Sequence, residues 1–190
     1  MEKELWQQIV DGDRQAYAGL YRDYFKKFYN YGRKFTADAL LVEDCIQEVF
    51  LDFWTRREAA RPIDSPNSYL FSAFRFTLFK KMKQSARYVP SEEVEEGPDF
   101  SIDALIIGRE SDSELQRRLQ AALESLTARQ REAIFLRFYE GLSYEEVASV
   151  LGISVKATYK IMARSLATLK ENMGVLLGVL LALLRQSQGF

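Results

Sequence analysis

The chain has 190 residues, with 26 Lys and Arg against 27 Asp and Glu, 47% apolar side chains, one Cys and no His. That length suits one ordinary domain or two small ones, and the apolar share is enough for a core. Without imidazole and with a lone Cys45, Ser-His and Cys-His nucleophiles, His-ligated metals and Cys-x-x-Cys pairs are excluded, so no enzyme activity, metal or cofactor is expected.

The opening Met1-Glu-Lys-Glu-Leu-Trp lacks the basic and then apolar pattern of a secretion signal. A single Cys forms no internal disulfide, and a cytoplasmic protein is expected. Apolar residues recur at steps of three and four, and no stretch reads as a strand, so an all-α fold is expected. From Arg14 to Phe35, Tyr17, Leu20, Tyr21, Tyr24, Phe25, Phe28 and Tyr31 form one stripe. A second helix, about Leu41 to Arg57, sets Val42, Cys45, Ile46, Val49, Phe50 and Phe53 on one side. Its other side carries Asp44, Glu48 and Asp52 at successive i, i+4 positions, an acidic ridge.

Pro62 and Pro66 mark a turn, after which Ser65 or Asn67 caps a third helix running to about Ser85. Between Ser65 and Ser91 there is no acid, while Arg75, Lys80, Lys81, Lys83 and Arg87 supply five cations among Tyr69, Phe71, Phe74, Phe76 and Phe79. Aromatics at helical spacing are usually core, and Leu70, Ala73, Phe74 and Phe71 are expected to be buried whatever the function. The excess of cations nevertheless suits a single nucleic-acid strand, stacked on rings and neutralised at its phosphates.

Next comes Pro90-Ser-Glu-Glu-Val-Glu-Glu-Gly-Pro-Asp, a turn-rich acidic link. The net charge of −1 divides around it: residues 1–90 are positive by three, residues 91–110 negative by six, and residues 111–190 positive by two. The expected organisation is therefore two small helical domains, 1–90 and 111–172, joined by the acidic linker 91–110.

In the second block a polar helix near Asp112 continues through Leu119, Ala122, Leu123 and Leu126. Thr127 caps a helix holding Ile134, Phe135 and Phe138, which ends at Glu140 with Gly141 as a left-handed terminator. Ser143 and Glu146 form a capping box, opening a short helix, Tyr144 to Leu151. After Gly152-Ile-Ser154 a longer helix runs from Val155 to about Asn172. Two helices joined by a three-residue turn make a helix-turn-helix, with Ala148 at the close approach and Val147, Leu151, Ile153 and Met162 as its core. Ser154 caps the second helix, and Lys156, Tyr159, Lys160 and Arg164 share an outward face suited to the DNA major groove. An ordinary helical hairpin with solvated lysines is the plain alternative. Residues 173–190 form an apolar tail. Its Met173 to Leu184 core is apolar on every side, but as a helix it spans only about 18 Å against a bilayer core of about 30 Å, so no membrane span is expected. Such a helix either packs on the second domain or docks on a partner.

Three stretches carry a resemblance: Val42-Glu-Asp-Cys-Ile-Gln-Glu-Val-Phe-Leu-Asp-Phe-Trp54, Asn67-Ser-Tyr-Leu-Phe-Ser-Ala-Phe-Arg75, and Leu123-Glu-Ser-Leu-Thr-Ala-Arg-Gln-Arg-Glu-Ala-Ile-Phe-Leu-Arg137 leading into Gly141-Leu-Ser-Tyr-Glu-Glu-Val-Ala148. In order and spacing the chain resembles the extracytoplasmic-function group of bacterial sigma factors, over about residues 5–172. The resemblance implies a region 2-like bundle that binds core RNA polymerase and melts the promoter −10 element. It implies a linker threading the polymerase and a region 4-like helix-turn-helix that reads the −35 element, with the clamp and flap of the polymerase and promoter DNA as partners. By position, Asp44, Gln47, Glu48 and Asp52 match the clamp-docking segment. Tyr69, Phe71, Arg75, Phe76, Phe79, Lys80, Lys81 and Lys83 match the melting segment, and Ser154, Lys156, Tyr159, Lys160 and Arg164 the −35 reader. An inhibitory anti-sigma protein or an auxiliary recruiting protein is a further candidate partner. Three positions depart from the family: Phe76 replaces the usual Asn after Arg75, Ala157 a hydroxyl residue, and Tyr159 a frequent cation. The −35 contact is therefore expected to be weak, with recruitment either helped by another protein or tolerant of sequence. The rival reading is a helix-turn-helix regulator that acts on duplex DNA without polymerase.

Overall fold

In the computed structural model, which describes residues 2–57, 65–86 and 120–173, every regular element among those residues is helical. The chain divides into two units, residues 1–95 and 96–190. The acidic linker, and the tail beyond Met173, lie outside the described residues.

The first unit contains α1 (Glu2–Val10), α2 (Arg14–Gly32), α3 (Ala39–Arg56) and α4 (Pro66–Ala86). Helix α1 is absent from the sequence expectations because nine residues are too few to show a period, yet it buries Trp6 and Ile9. Asp13 caps α2 by accepting from the Gln15 and Ala16 amides, and Asp38 caps α3 by accepting from the Leu41 amide. At α4 the cap is Ser65, whose Oγ accepts from the Ser68 amide at 3.2 Å. Pro66 then holds the first helical position, where its missing N–H costs nothing. Asn67, the other candidate cap, instead accepts a hydrogen bond from the Tyr24 hydroxyl.

The core of this unit is aromatic. Phe28 stacks on Phe74 with centroids 4.6 Å apart and meets Phe71 edge-on at 5.1 Å, geometries that add to simple burial. Tyr31, Phe50, Leu70 and Leu78 complete it at 1% exposure or less. The α2 stripe divides in two: Leu20, Tyr24, Phe28 and Tyr31 are buried, while Tyr17, Tyr21 and Phe25 lie half-buried along its flank. Ala73, expected in the core, is also half-buried. Gly32 closes α2 against α3 and α4; a Cβ there would stand 2.8 Å from Val42 Cγ1 and 3.0 Å from Phe74 Cζ.

In the second unit residues 120–124 are helical, and Ala122, Leu123 and Leu126 are buried as expected, whereas Leu119 lies outside the described residues. Thr127 and Gln130 form a capping box at the start of α5 (Ala128–Ile134). The expected plain helix does not continue to Glu140. It widens into a π turn over Phe135–Tyr139, in which the Glu140 amide donates to the Phe135 carbonyl at 3.1 Å. Gly141, at φ 74°, then reverses the chain. Ser143 and Glu146 form the expected capping box of α6 (Tyr144–Leu151), and Gly152 ends it in the left-handed region at φ 63°. Helix α7 (Val155–Met173) follows. Val147, Ala148, Leu151 and Met162 are buried at the junction of the two helices, but Ile153 is only half-buried. Buried Thr158 and Ser165 satisfy their hydroxyls by donating to the Ser154 and Ile161 carbonyls.

Candidate docking and nucleic-acid surfaces

Asp44, Gln47, Glu48 and Asp52 all lie exposed on the outer side of α3, because Val42, Cys45, Ile46, Val49, Phe50 and Phe53 take the inner side. The ridge is not bare. Lys81 of α4 reaches across to pair with Asp44 Oδ2 and, at 2.7 Å, with Glu48 Oε2, while Asp52 Oδ1 meets Arg56 Nε at 2.7 Å. Two residues of this face escaped the sequence reading: Leu40 and Leu51 are 77% and 66% exposed. Their signal was their phase, since Leu40, Asp44, Gln47 and Leu51 follow at steps of four, three and four, off the buried stripe. An open groove of about 730 Å³ borders the face, lined by Tyr17, Tyr21, Gln47, Phe50 and Leu51 among others. Below it, burial pushes the Cys45 thiol up to about 11.

Helix α4 separates the residues matched to DNA melting. Phe71 is corrected: at 1% exposure it is packed between Phe28, Tyr31 and Tyr24 and has no face for a base. Lys81 differs from the other cations of the helix, since its ammonium is turned to α3 and pairs with two carboxylates. Tyr69, Phe76, Lys80 and Lys83 remain together. They are exposed and follow at steps of seven, four and three, so they form one outer stripe. Arg75 and Phe79 flank it as a pair, with the guanidinium 4.2 Å over the ring and the ring edge-on to Phe35. Tyr69 rests edge-on against Trp6 at 5.8 Å, and burial raises its hydroxyl pKa. Arg87 lies outside the described residues.

In the helix-turn-helix, Ser154 Oγ accepts from the Ala157 amide at 3.2 Å and starts α7. Lys156, Tyr159, Lys160 and Arg164 are all exposed along that helix. Sequence reasoning missed what holds Tyr159. Its ring stacks on Tyr144 with centroids 4.3 Å apart and planes within 10°, and the Arg137 guanidinium lies 5.2 Å from the Tyr144 ring. Arg137 also donates to the Leu142 carbonyl at 2.9 Å. This column joins the π turn, α6 and α7, three elements that no local pattern links. Among the described residues no cluster of His, Cys, Asp or Glu could hold a metal ion, and no helix is long and apolar enough to cross a membrane. The described surfaces comprise an acidic and leucine-bearing face, an aromatic and cationic stripe, and a helix-turn-helix whose second helix exposes Lys156, Lys160 and Arg164.

Comparison with known proteins gives two domain matches in chain order. Residues 20–88 match the family model of sigma-70 region 2, and residues 116–169 that of sigma-70 region 4. The ECF RNA polymerase sigma factor SigK of Mycolicibacterium vanbaalenii is 25% identical over 90% of this chain and 88% of its own. Among solved structures, CnrH in complex with the cytosolic domain of CnrY shares the fold, with a TM-score of 0.60, 22% identity, and coverage of 89% of this chain and 94% of that one. The sigma factor RpoE of Bartonella quintana, solved with the anti-sigma factor NepR, has a TM-score of 0.54 at 21% identity, covering 81% and 96%.

Proposed function

The chain belongs to the extracytoplasmic-function group of sigma factors, and from that premise we propose how its surfaces divide the work of directing RNA polymerase to promoters. The outer face of α3, with Asp44, Gln47, Glu48 and Asp52 and the exposed Leu40 and Leu51, docks on the polymerase clamp. The apolar residues supply burial and the carboxylates supply orientation toward a cationic partner. The outer stripe of α4 captures bases of one strand as the −10 element opens: Tyr69 and Phe76 offer rings, and Lys80 and Lys83 neutralise phosphates. Residues 1–90 act as this first module. Residues 91–110, with six carboxylates between Glu92 and Asp103, line a cationic channel of the polymerase. Residues 111–172 touch the −35 element and the flap. The chain breaks no bond itself, and its work lies in the cytoplasm with polymerase and promoter.

The observation that carries this reading is the stripe on α4. A 70% exposed Phe76 on one stripe with an exposed Tyr69 and two exposed lysines offers rings and cations together, and it fits an unpaired strand. Purified chain added to core polymerase is expected to stimulate transcription from mapped start sites, and permanganate is expected to detect open thymines there. No stimulation on any template, together with no binding to core, would overturn the proposal. The RpoE relative was solved with an anti-sigma factor. A protein of that kind, covering Leu40 and Leu51, is a candidate inhibitor of docking.

A further inference from the structure

Lys81 stands apart from the other cations of α4. Its side chain is 20% exposed, whereas Asp44 and Glu48, the two acids it bridges, keep 64% and 46%. Burial works against its charge, but hydrogen bonds to Asp44 and Glu48, and their charges, prevail and push its pKa up to about 12. The ammonium is therefore charged wherever the protein works. Asp44 and Glu48 sit one helical turn apart, where like charges repel. Their two oxygens give each carboxylate about four acceptor sites, and Lys81 engages one oxygen of each, Oδ2 and Oε2. Asp44 Oδ1 and Glu48 Oε1 take no part in these pairs.

We propose that Lys81 is a positioning residue for the docking face: it fixes Asp44 and Glu48 from the α4 side and so holds the second oxygen of each outward for a cationic group on the polymerase. The inference rests on the reading of α3 as the docking face. Two other roles for Lys81 make opposite predictions. As a DNA contact, its loss would impair promoter opening and leave docking intact. As a mere counter-charge, its loss would make the face more negative and strengthen docking on a cationic partner. A positioning role predicts weaker docking, because unpaired carboxylates spread over several rotamers and must be ordered again by the partner. It also ties the docking acids to the helix that bears the Tyr69 and Phe76 stripe.

The test uses the full chain and purified core polymerase. Lys81→Met keeps the apolar stem and removes the charge; it is expected to weaken core binding about tenfold, the scale of a coupled charge pair. Lys81→Arg, which keeps the charge within reach of both acids, is expected to stay within about threefold of the parent chain. In a chain already carrying Asp44→Asn and Glu48→Gln, adding Lys81→Met is expected to cost nothing more. At saturating core, the Lys81→Met holoenzyme is expected to open a mapped promoter like the parent. Lys81→Gln carries the same expectations and serves if Lys81→Met folds poorly. Unchanged or tighter core binding, an equal further loss in the doubly substituted chain, or lost opening at saturating core would each overturn the proposal. If Asp44→Asn with Glu48→Gln binds core like the parent, the docking reading of α3 is what has failed.

Discussion

Phe74 and Phe76, two positions apart on α4, separate packing from function within a single turn. Phe74 has no exposure and stacks on Phe28, whereas Phe76 is 70% exposed. Phe74→Ala is expected to cost about 3–5 kcal/mol in denaturant unfolding, the scale of a truncated core aromatic. Phe76→Ala should change stability by less than about 0.5 kcal/mol. It should nevertheless lower open-complex formation about fivefold or more, since stacking a base on a ring is worth about 1–3 kcal/mol. Phe76→Asn restores the amide usual in the family and tests whether the ring or an amide serves this promoter set. Permanganate reactivity at the start region checks both, and a Phe76→Ala chain that opens promoters normally would remove Phe76 from the strand-binding stripe. Cys45 gives a separate prediction: fully buried, and raised to about 11 by burial, its thiol should resist alkylation in the native chain and react fully on unfolding. Rapid native labelling would show that α3 opens. The sequence sorted these aromatics only in part: Phe71 and Phe74 are buried as expected, but nothing local separated Phe76 from Phe79. Phe71, Phe74, Phe76 and Phe79 differ only in phase, and the zero of that phase is set by where α2 and α3 meet the helix. Lys81 was unreadable for the same reason, because its acids lie on another helix.

At the scale of the element, capping was largely legible because caps are local chemistry. Thr127, Ser143 and Gly141 stand where their types predicted, and Ser65 does so with Pro66 behind it. The π turn was not legible, since Phe135-Leu-Arg-Phe-Tyr139 has apolar residues on several sides and reads as ordinary helix. Its extra residue serves tertiary packing, placing Phe135 and Leu136 fully inside. Two glycines give contrasting predictions. Gly152→Ala meets nothing within 4 Å, so its cost is the left-handed backbone alone, about 1–2 kcal/mol. Gly32→Ala forces Val42 and Phe74 aside at the crossing of α2, an overpacking of about 1–3 kcal/mol. Thermal melts of the two variants, with near-UV spectra to detect disturbed aromatic packing in the second only, check the assignment. The α3–α4 ion pairs add a pH signature. The Lys81 pKa is raised from 10.5 to about 12 in the folded chain, so the stabilisation is complete below the lower value and is lost as pH rises through the upper one. Lys81→Met should flatten the alkaline unfolding curve in that window.

For the whole molecule, the near balance of 26 cations and 27 acids bears on how it meets DNA. Its positive charge is divided between two modules and partly spent inside the first, where Lys81 and Arg56 pair with the ridge. Helix α7 exposes Lys156, Lys160 and Arg164 on the face proposed to meet DNA. Each phosphate neutralised contributes about 0.9 to the salt slope of duplex binding, so these three give a slope near −3 at most. Affinity should then stay at the level of nonspecific contact, about 10⁻⁴–10⁻⁶ M at physiological salt. The column of Arg137, Tyr144 and Tyr159 ties the π turn to both helices of the helix-turn-helix. Fluorescence anisotropy with a mapped promoter duplex is expected to show weak, salt-sensitive binding by the free chain and tight binding once core polymerase is added. A polymerase-independent regulator behaves otherwise, binding a palindrome as a dimer with half-sites one helical turn apart. Nanomolar binding of duplex by the free chain, with a dimer in sedimentation, would overturn the assignment of a weak −35 contact and place recognition in α7 alone.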